Sequence, residues 1–427
     1  AFALDANTTA SNNVSLGYAS LTSNTTGATN TAVGALSLQE NTTAANNTAV
    51  GYLSLGSNTT GADNVAVGSL SLDANTTGSF NTALGRQALT GNTTGASNIS
   101  VGYFSLAVNT TGASNVAIGA RSLSANTTAS NNTAVGQDAL YANTTGTSNT
   151  ALGHTALDAC TTGDVNTAVG AGALGAVTTA SNNTAVGQGA GQRITTGHSN
   201  TMSGRDCATQ ITTGIQNVVI GHTAGEALTT GDDNICIGHD SADNLTTGHQ
   251  NIAIGVDTTL SAVSGDNQIV IGQNVTCVGN DNFTFGNGST DSNIAFGATS
   301  ITAPSDMRLK EDIQDETIGL SFINALRPVT FLWKKEKDIP ENLTAHKAGS
   351  EVRTMNGKHN HGFIAQEVKS TIDSYDLKDG FDMWQEDERD GRQRVAPSAL
   401  VPILVKAIQE QNALIEALTT RITTLEG

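Results

Sequence analysis

Lysine is absent from the first 304 residues of this 427-residue chain, and arginine occurs there only four times, against 17 acidic residues. This segment offers no basic groove for a nucleic acid, because phosphate binding depends on Lys and Arg. No apolar run approaches the roughly 18 residues of a membrane helix, so we expect no membrane insertion. The last 123 residues carry 16 basic and 21 acidic residues, and this change predicts a domain boundary near residue 300.

Cysteine and proline are also scarce, with 4 and 5 residues. The cysteines lack the close pairing of a metal site, and we predict no metal and no cofactor. The chain starts at Ala1-Phe2 rather than Met. We expect an attachment or targeting segment upstream of it.

Glycine is abundant, and sixteen of the 46 glycines recur every 17 residues from Gly17 to Gly272 without a slip. The unit reads N-T-A-V-G-x-x-A/S-L-x-x-N-T-T-G-x-x. A unit of constant length predicts stacked coils of a β-solenoid or β-roll over residues 1–272. At about 4.8 Å per coil, the shaft would be roughly 75–80 Å long.

The short run before each glycine is typical of a strand whose two faces are both buried, one by its own coil and one by a neighbouring chain. Cys236 replaces the small middle residue of this run, which indicates a buried free thiol. A 17-residue coil encloses little volume, so we expect several chains, most simply three, to share a core.

At two positions of the repeat unit, side-chain volume changes in opposite directions along the chain. Leucine follows the glycine by four residues from Leu21 to Leu174, and Gly or Ala replaces it in the next four copies. Three residues further on, early asparagines such as Asn58 become Ile or Leu in those same copies. Both positions should therefore face one interior, where the asparagines form a stacked ladder. This favours a structural role for Asn-Thr-Thr over its reading as a glycosylation sequon.

The sequences of residues 115–119 (NVAIG) and 132–136 (NTAVG), with the Thr-Gly turns between them, resemble head repeats of YadA-type trimeric adhesins. That resemblance implies parallel β-rolls wound in threes. The spacing shortens after Gly272, which predicts a cap over residues 273–304. Capping alone explains this segment, and a receptor contact is the alternative.

Histidines recur in phase at His154, His222 and His239, and again at His198 and His249. A ring of three around a trimer could hold a metal, but solvated turn residues are the favoured interpretation. The His359 and His361 pair is likewise not interpreted as a metal site.

The last 123 residues predict an α+β domain over residues 305–427. Residues 317–326 have helical spacing, 329–333 indicate a strand, and 361–368 a strand or turn entering a helix. The final helix, predicted over 397–426, spaces its apolar residues for a trimeric coiled coil, with an ordinary amphipathic helix as the alternative. Its heptad positions are Val401, Leu404, Ile408, Gln411, Ile415, Leu418, Ile422 and Leu425.

Residues 305–313 (SDMRLKEDI), 326–329 (LRPV) and 362–368 (GFIAQEV), followed by the coiled coil, resemble the peptidase S74 family of intramolecular chaperones on phage tail fibres, tailspikes and endosialidases. The resemblance implies a domain that trimerises, templates the shaft and then cuts itself between Pro304 and Ser305. Ser305 would be the nucleophile and Lys310 the general base, with His361, Gln366 and Glu367 as supporting residues. Pro304 departs from what we expect of an acyl residue, because its ring constrains the scissile geometry.

The predicted protein is thus a homotrimeric phage tail fibre with a self-cleaving chaperone and no external substrate. The expected partners are a glycan or protein receptor on the host cell and other virion tail proteins. The expected location is the virion, after assembly in the bacterial cytoplasm. A bacterial trimeric surface adhesin with a self-cleaving tail is the alternative.

Overall fold

The computed structural model describes residues 3–288, 290–298, 300–303, 305–355, 357–377, 381–387 and 391–426. The chain divides into two compact units, Ala1–Pro304 and Ser305–Gly427. Among the described helices, none is both long and apolar enough to cross a membrane.

The first unit is a long parallel β-solenoid with one short strand per coil, as predicted. Each strand pairs in parallel with the strand 17 residues later, so that Thr31 lies beside Thr48 and Ala32 beside Ala49. The strands are β1 (Val14–Leu16), β2 (Thr31–Val33), β3 (Thr48–Val50), β4 (Val65–Val67), β5 (Thr82–Leu84), β6 (Ile99–Val101), β7 (Val116–Ile118), β8 (Thr133–Val135), β9 (Thr150–Leu152), β10 (Thr167–Val169), β11 (Thr184–Val186), β12 (Thr201–Ser203), β13 (Val218–Ile220), β14 (Ile235–Ile237), β15 (Ile252–Val256), β16 (Gln268–Gln273), β17 (Asn282–Gly286) and β18 (Asp291–Ala295).

The glycine that ends each strand is required by the coil above it. Gly34 has a φ of +136°, and a Cβ built on it would lie 2.4 Å from the carbonyl oxygen of Gly51. Both the backbone conformation and the close approach exclude a side chain. The invariant 17-residue register of glycines is therefore a consequence of stacking one backbone directly on the next.

The interior contains the predicted leucine column and asparagine ladder. Leu38, Leu55 and their equivalents through Leu174 are fully buried. Asn41 Nδ2 donates to Asn24 Oδ1 at 2.8 Å, and Asn75 Nδ2 donates to Asn58 Oδ1 at 2.8 Å. These amides are completely buried, which confirms the structural interpretation of Asn-Thr-Thr.

A second ladder was not predicted. The asparagine that opens each strand accepts a backbone hydrogen bond through its Oδ1, as Asn30 does from Asn47 N–H at 2.9 Å. Its Nδ2 donates to the carbonyl of a turn in the next coil, as Asn47 does to Gly61 at 3.0 Å. Each coil is thereby fastened to the next by side chains as well as by its strand.

The volume exchange between the two interior positions is confirmed. Ile194, which stands where early coils have asparagine, is fully buried. A Cβ on Gly191 would lie 2.6 Å from Met202 Sδ and 3.1 Å from Leu174 Cδ2. Met202 occupies the middle position of its strand. Its long side chain therefore also fills space that the missing leucine leaves in the interior.

One face of each strand is buried by its own coil, and burial of the other face by a neighbouring chain stays a prediction. The middle residues, such as Ala66, are fully buried, whereas Val67, Leu84 and Ile118 on the outer face are 38%, 37% and 39% exposed. The leucine, alanine and asparagine columns already close the interior. Within one chain the interior is therefore closed, and the outer face of the strands is only partly covered.

The strand pairing changes after Gly272, and the role of residues 273–304 as a cap stays a prediction. Strand β17 still pairs in parallel with β16, with Gly272 beside Gly286, although the spacing has shortened. Strand β18 then turns back antiparallel along β17, with Phe283 beside Ile294.

The second unit is small and mixes helices with two hairpin-like strand pairs. Its elements are α1 (Leu320–Ala325), β19 (Val329–Phe331), β20 (Asn360–Gly362), α2 (Ala365–Ser374), β21 (Trp384–Glu386), β22 (Gln393–Val395) and α3 (Val401–Glu426), with 3₁₀ turns at Met307–Leu309, Glu336–Asp338 and Pro397–Leu400. Phe322, Val368, Ile372, Met383, Leu400 and Ile403 form its core. The pair of β21 and β22 was not predicted.

Helix α3 uses two faces differently. Ile403 and Ala407 are buried against the domain, whereas the predicted heptad residues, among them Ile408, Ile415 and Leu418, are 55%, 59% and 58% exposed. Packing as an ordinary amphipathic helix, the alternative prediction, is thus seen only in the first turns of α3. The heptad face stays uncovered in one chain.

Candidate functional site

Ser305 and Lys310 meet across one 3₁₀ turn. The turn spans Met307–Leu309, and its carbonyl at Met307 accepts the backbone N–H of Lys310. This fold returns the lysine towards the serine, and Lys310 Nζ donates to Ser305 Oγ at 2.8 Å. Both residues are exposed in the single chain. The arrangement brings an amine within proton-transfer distance of a hydroxyl.

Asp306 fixes the start of that turn. Its carboxylate accepts from the backbone N–H of Arg308 at 2.8 Å, which caps the 3₁₀ turn. The Arg308 guanidinium donates to both carboxylate oxygens. Its Nε lies 3.0 Å from Oδ1, and its Nη2 lies 2.6 Å from Oδ2. The hydrogen bonds from Arg308 lower the pKa of Asp306. The ion pair therefore keeps Asp306 engaged with the turn.

The predicted supporting residues lie on other elements. His361 is exposed on β20, opposite Thr330 of β19. Gln366 is exposed in the first turn of α2, and Glu367 beside it pairs with Arg327, which lowers the pKa of Glu367. Among the described residues, no hydrogen bond joins these three to Ser305 or Lys310. Their assignment to the site stays a prediction.

Two features were missed from the sequence. Arg327 holds Glu367 through Nε at 2.9 Å to Oε2, across 40 residues of chain. An apolar cavity of about 740 Å³ lies between the β19–β20 pair and β22, and Phe331, Ile339 and Val395 line it. The arginine of the LRPV sequence does not indicate which distant residue it pairs with. A cavity lined by three separate elements leaves no pattern in any one stretch of the sequence. Pro304, the predicted acyl residue, lies outside the described residues.

The comparison with protein families finds its match at the start of the second unit. Residues 305–377 match the family model of the Peptidase_S74 domain, described as the chaperone of endosialidase. The chain carries a peptidase S74 domain. The match begins at Ser305 itself and includes Lys310, Arg327, His361, Gln366 and Glu367. No curated protein and no solved structure matches the chain.

A peptidase S74 domain after a β-solenoid of about sixteen coils fits a tail fibre or tailspike with an intramolecular chaperone. The domain implies a fibre-like protein whose chaperone trimerises and then cuts itself off, and hence an autoproteolytic activity. The resemblance noted from the sequence is confirmed for this domain.

Proposed function

We propose that this protein is a homotrimeric phage tail fibre whose S74 domain aligns three chains and then cleaves itself in cis between Pro304 and Ser305. The observation that carries the mechanism is the 2.8 Å contact between Lys310 Nζ and Ser305 Oγ. A serine hydroxyl is a weak nucleophile until a base takes its proton, and a neutral lysine amine is such a base.

The chemistry is an acyl shift within the chain. Lys310 removes the Ser305 Oγ proton, and Oγ attacks the carbonyl carbon of residue 304. The C–N bond to Ser305 breaks, and the proton held by Lys310 passes to the departing amine nitrogen. Water then hydrolyses the resulting ester, so that the shaft ends in a carboxylate and the released domain begins with a free Ser305 amine.

Exposure of the pair in one chain supports a coupling of cleavage to assembly. Lys310 donates to Ser305 in this arrangement, whereas a general base must offer its lone pair. A neighbouring chain that covers the pair would exclude water from it and strengthen the electrostatic interactions within the site. Cleavage would then follow trimerisation, which prevents the chaperone from leaving before its work is complete.

Two uncovered apolar surfaces support the trimer. One is the outer face of the shaft strands, which includes Val67, Leu84 and Ile118, and the other is the heptad face of α3, which includes Ile408 and Ile415. Apolar side chains at heptad spacing are typical of coiled coils. The chaperone has a physical purpose here, because identical coils can pair one rung out of register at little cost.

Host attachment is the function we propose for the mature shaft. It is supported by the fibre-like solenoid and its S74 domain, and by the absence of clustered catalytic carboxylates in the repeat sequence. The partners we propose are a glycan or protein receptor on the host surface and neighbouring tail proteins of the virion, after assembly in the host cytoplasm.

The experiment compares the full chain with S305A, K310A and the matched control K347A, another exposed lysine of the same unit. Denaturing gels and intact masses should show wild type and K347A cut before Ser305, and S305A and K310A intact at 43.5 kDa. Mixing intact S305A with wild type tests cis action, since S305A should stay intact. A wild-type chain that remains at 43.5 kDa, or a K310A chain that is cut like wild type, contradicts the proposed mechanism.

A further inference from the structure

Two histidines stack on neighbouring coils of the shaft. His222 and His239 each follow the strand-ending glycine directly, so they occupy the same position in successive units. Their ring centroids lie 5.2 Å apart with an interplanar angle of 15°. His154 holds the same position in an earlier coil, but Gln137 and Ala171 are its neighbours in the column.

A carboxylate completes this cluster. Asp240 Oδ2 lies 3.0 Å from His239 Nδ1, and Asp240 Oδ1 accepts from Thr223 Oγ1. One ligand atom from each of His222, His239 and Asp240 lies within 4.8 Å of the others. Within the described part of the chain, no other set of three His, Cys, Asp or Glu residues has this proximity.

We propose that His222, His239 and Asp240 bind a divalent transition-metal ion such as Zn²⁺. Two imidazole nitrogens and a carboxylate oxygen form a donor set that Zn²⁺ accepts, with a fourth position left to water. The side chains of His222 and His239 sit at the surface, half-buried and exposed, so their rings can rotate from the parallel stack until the nitrogens converge. The Asp240 oxygen now paired with His239 turns to the ion.

The surroundings specify which nitrogen of His222 binds. Its Nδ1 lies 3.1 Å from Thr223 Oγ1, whose own proton goes to Asp240, so Nδ1 carries the hydrogen. Nε2 then presents its lone pair, and Arg205 donates to it. A metal must displace this guanidinium.

The test is calorimetric titration of ZnCl₂ into the full chain, purified without a histidine tag. Wild type should bind one ion per chain at this cluster. H222Q and H239Q should each weaken binding at least as much as the loss of an outer-shell partner, which is about 10- to 100-fold. R205Q should tighten it, because the competing donor is gone. H154Q, at the same position of another coil, should bind as wild type does.

Circular dichroism establishes that each variant keeps the wild-type fold. ZnCl₂ should also raise the thermal unfolding temperature of wild type and H154Q, and leave that of H239Q unchanged. The proposal is overturned if wild type binds no Zn²⁺, or if H222Q and H239Q retain wild-type affinity. Equal losses in H154Q and H222Q, or unchanged affinity in R205Q, overturn it as well.

Discussion

The asparagine ladder makes a prediction that depends on position within the shaft. Asn109 lies inside the ladder, where its Nδ2 donates to Asn92 Oδ1 at 2.8 Å and its Oδ1 accepts from Asn126 Nδ2 at 2.7 Å. Asn143 is the last rung, because Cys160 follows it, and its Oδ1 is buried without a hydrogen-bond partner among the described residues. The same substitution at the two sites therefore removes different interactions.

Replacement by alanine leaves a similar cavity in both coils. N109A leaves Asn92 Oδ1 without a donor, removes one of the two donors to the Gly112 carbonyl, and takes one of two acceptors from Asn126 Nδ2. N143A, two rungs further on, likewise leaves Asn126 Oδ1 without a donor and removes one of the two donors to the Gly146 carbonyl, but it also removes an acceptor that was already unsatisfied. A buried unsatisfied polar group costs about 1–3 kcal/mol. N109A should lower the free energy of unfolding by about 1–3 kcal/mol more than N143A does.

The assay is guanidinium unfolding of both variants and wild type, followed by circular dichroism at equal chain concentration. If unfolding is irreversible, unfolding rates replace the equilibrium values, with the same expected order. Amide hydrogen exchange should localise the loss to the coils around each substitution. Equal losses, or a larger loss for N143A, would refute the ladder as a set of interdependent buried hydrogen bonds.

Three further predictions concern the glycine register, a buried thiol and the coiled coil. G136A should lower the unfolding free energy by more than about 3 kcal/mol, because Gly136 has a φ of +134° and the added Cβ would lie 2.5 Å from Gly153 O. The control G175A should lower it by less than about 1 kcal/mol, because the atom nearest to the added Cβ is 3.3 Å away. Burial raises the pKa of Cys236 to about 12, so the thiol stays protonated at pH 8, and mass spectrometry should find it unmodified by iodoacetamide until the shaft unfolds. I415D in the S305A chain should reduce the molar mass by light scattering from three chains to one, and an unchanged mass would contradict the heptad assignment.

The repeat was predictable because its strongest constraints are local in sequence. A fixed spacing reveals that each glycine meets the next coil. The loss of leucine at Gly191, together with the gain of a large side chain at Ile194, reveals that both positions face one interior. What a single chain buries was less predictable, because Val67 and Ala66 look equally apolar in a three-residue strand. Only the coil's closed path shows that Ala66 faces inward and Val67 outward.

The functional site, like the repeat, could be predicted from the sequence only in part. Ser305 and Lys310 are five residues apart, so one 3₁₀ turn suffices to join them, and a sequence motif carries that information. Arg327 and Glu367 are joined across 40 residues, and His222 and His239 across one coil. Contacts of this kind depend on which elements the fold places side by side. The histidines could be expected to stack once the solenoid is known, and Asp240 follows His239 directly in the sequence.

The central claim is that the S74 domain sets the register of the shaft before it departs. Its most direct test compares two samples of the same polypeptide, residues 1–304, one released from the full chain by self-cleavage and one expressed without the domain. We expect the first to be a uniform trimer that resists unfolding, whereas the second should form monomers or misaligned aggregates. Identical mass, uniformity and unfolding rates in the two samples would contradict it.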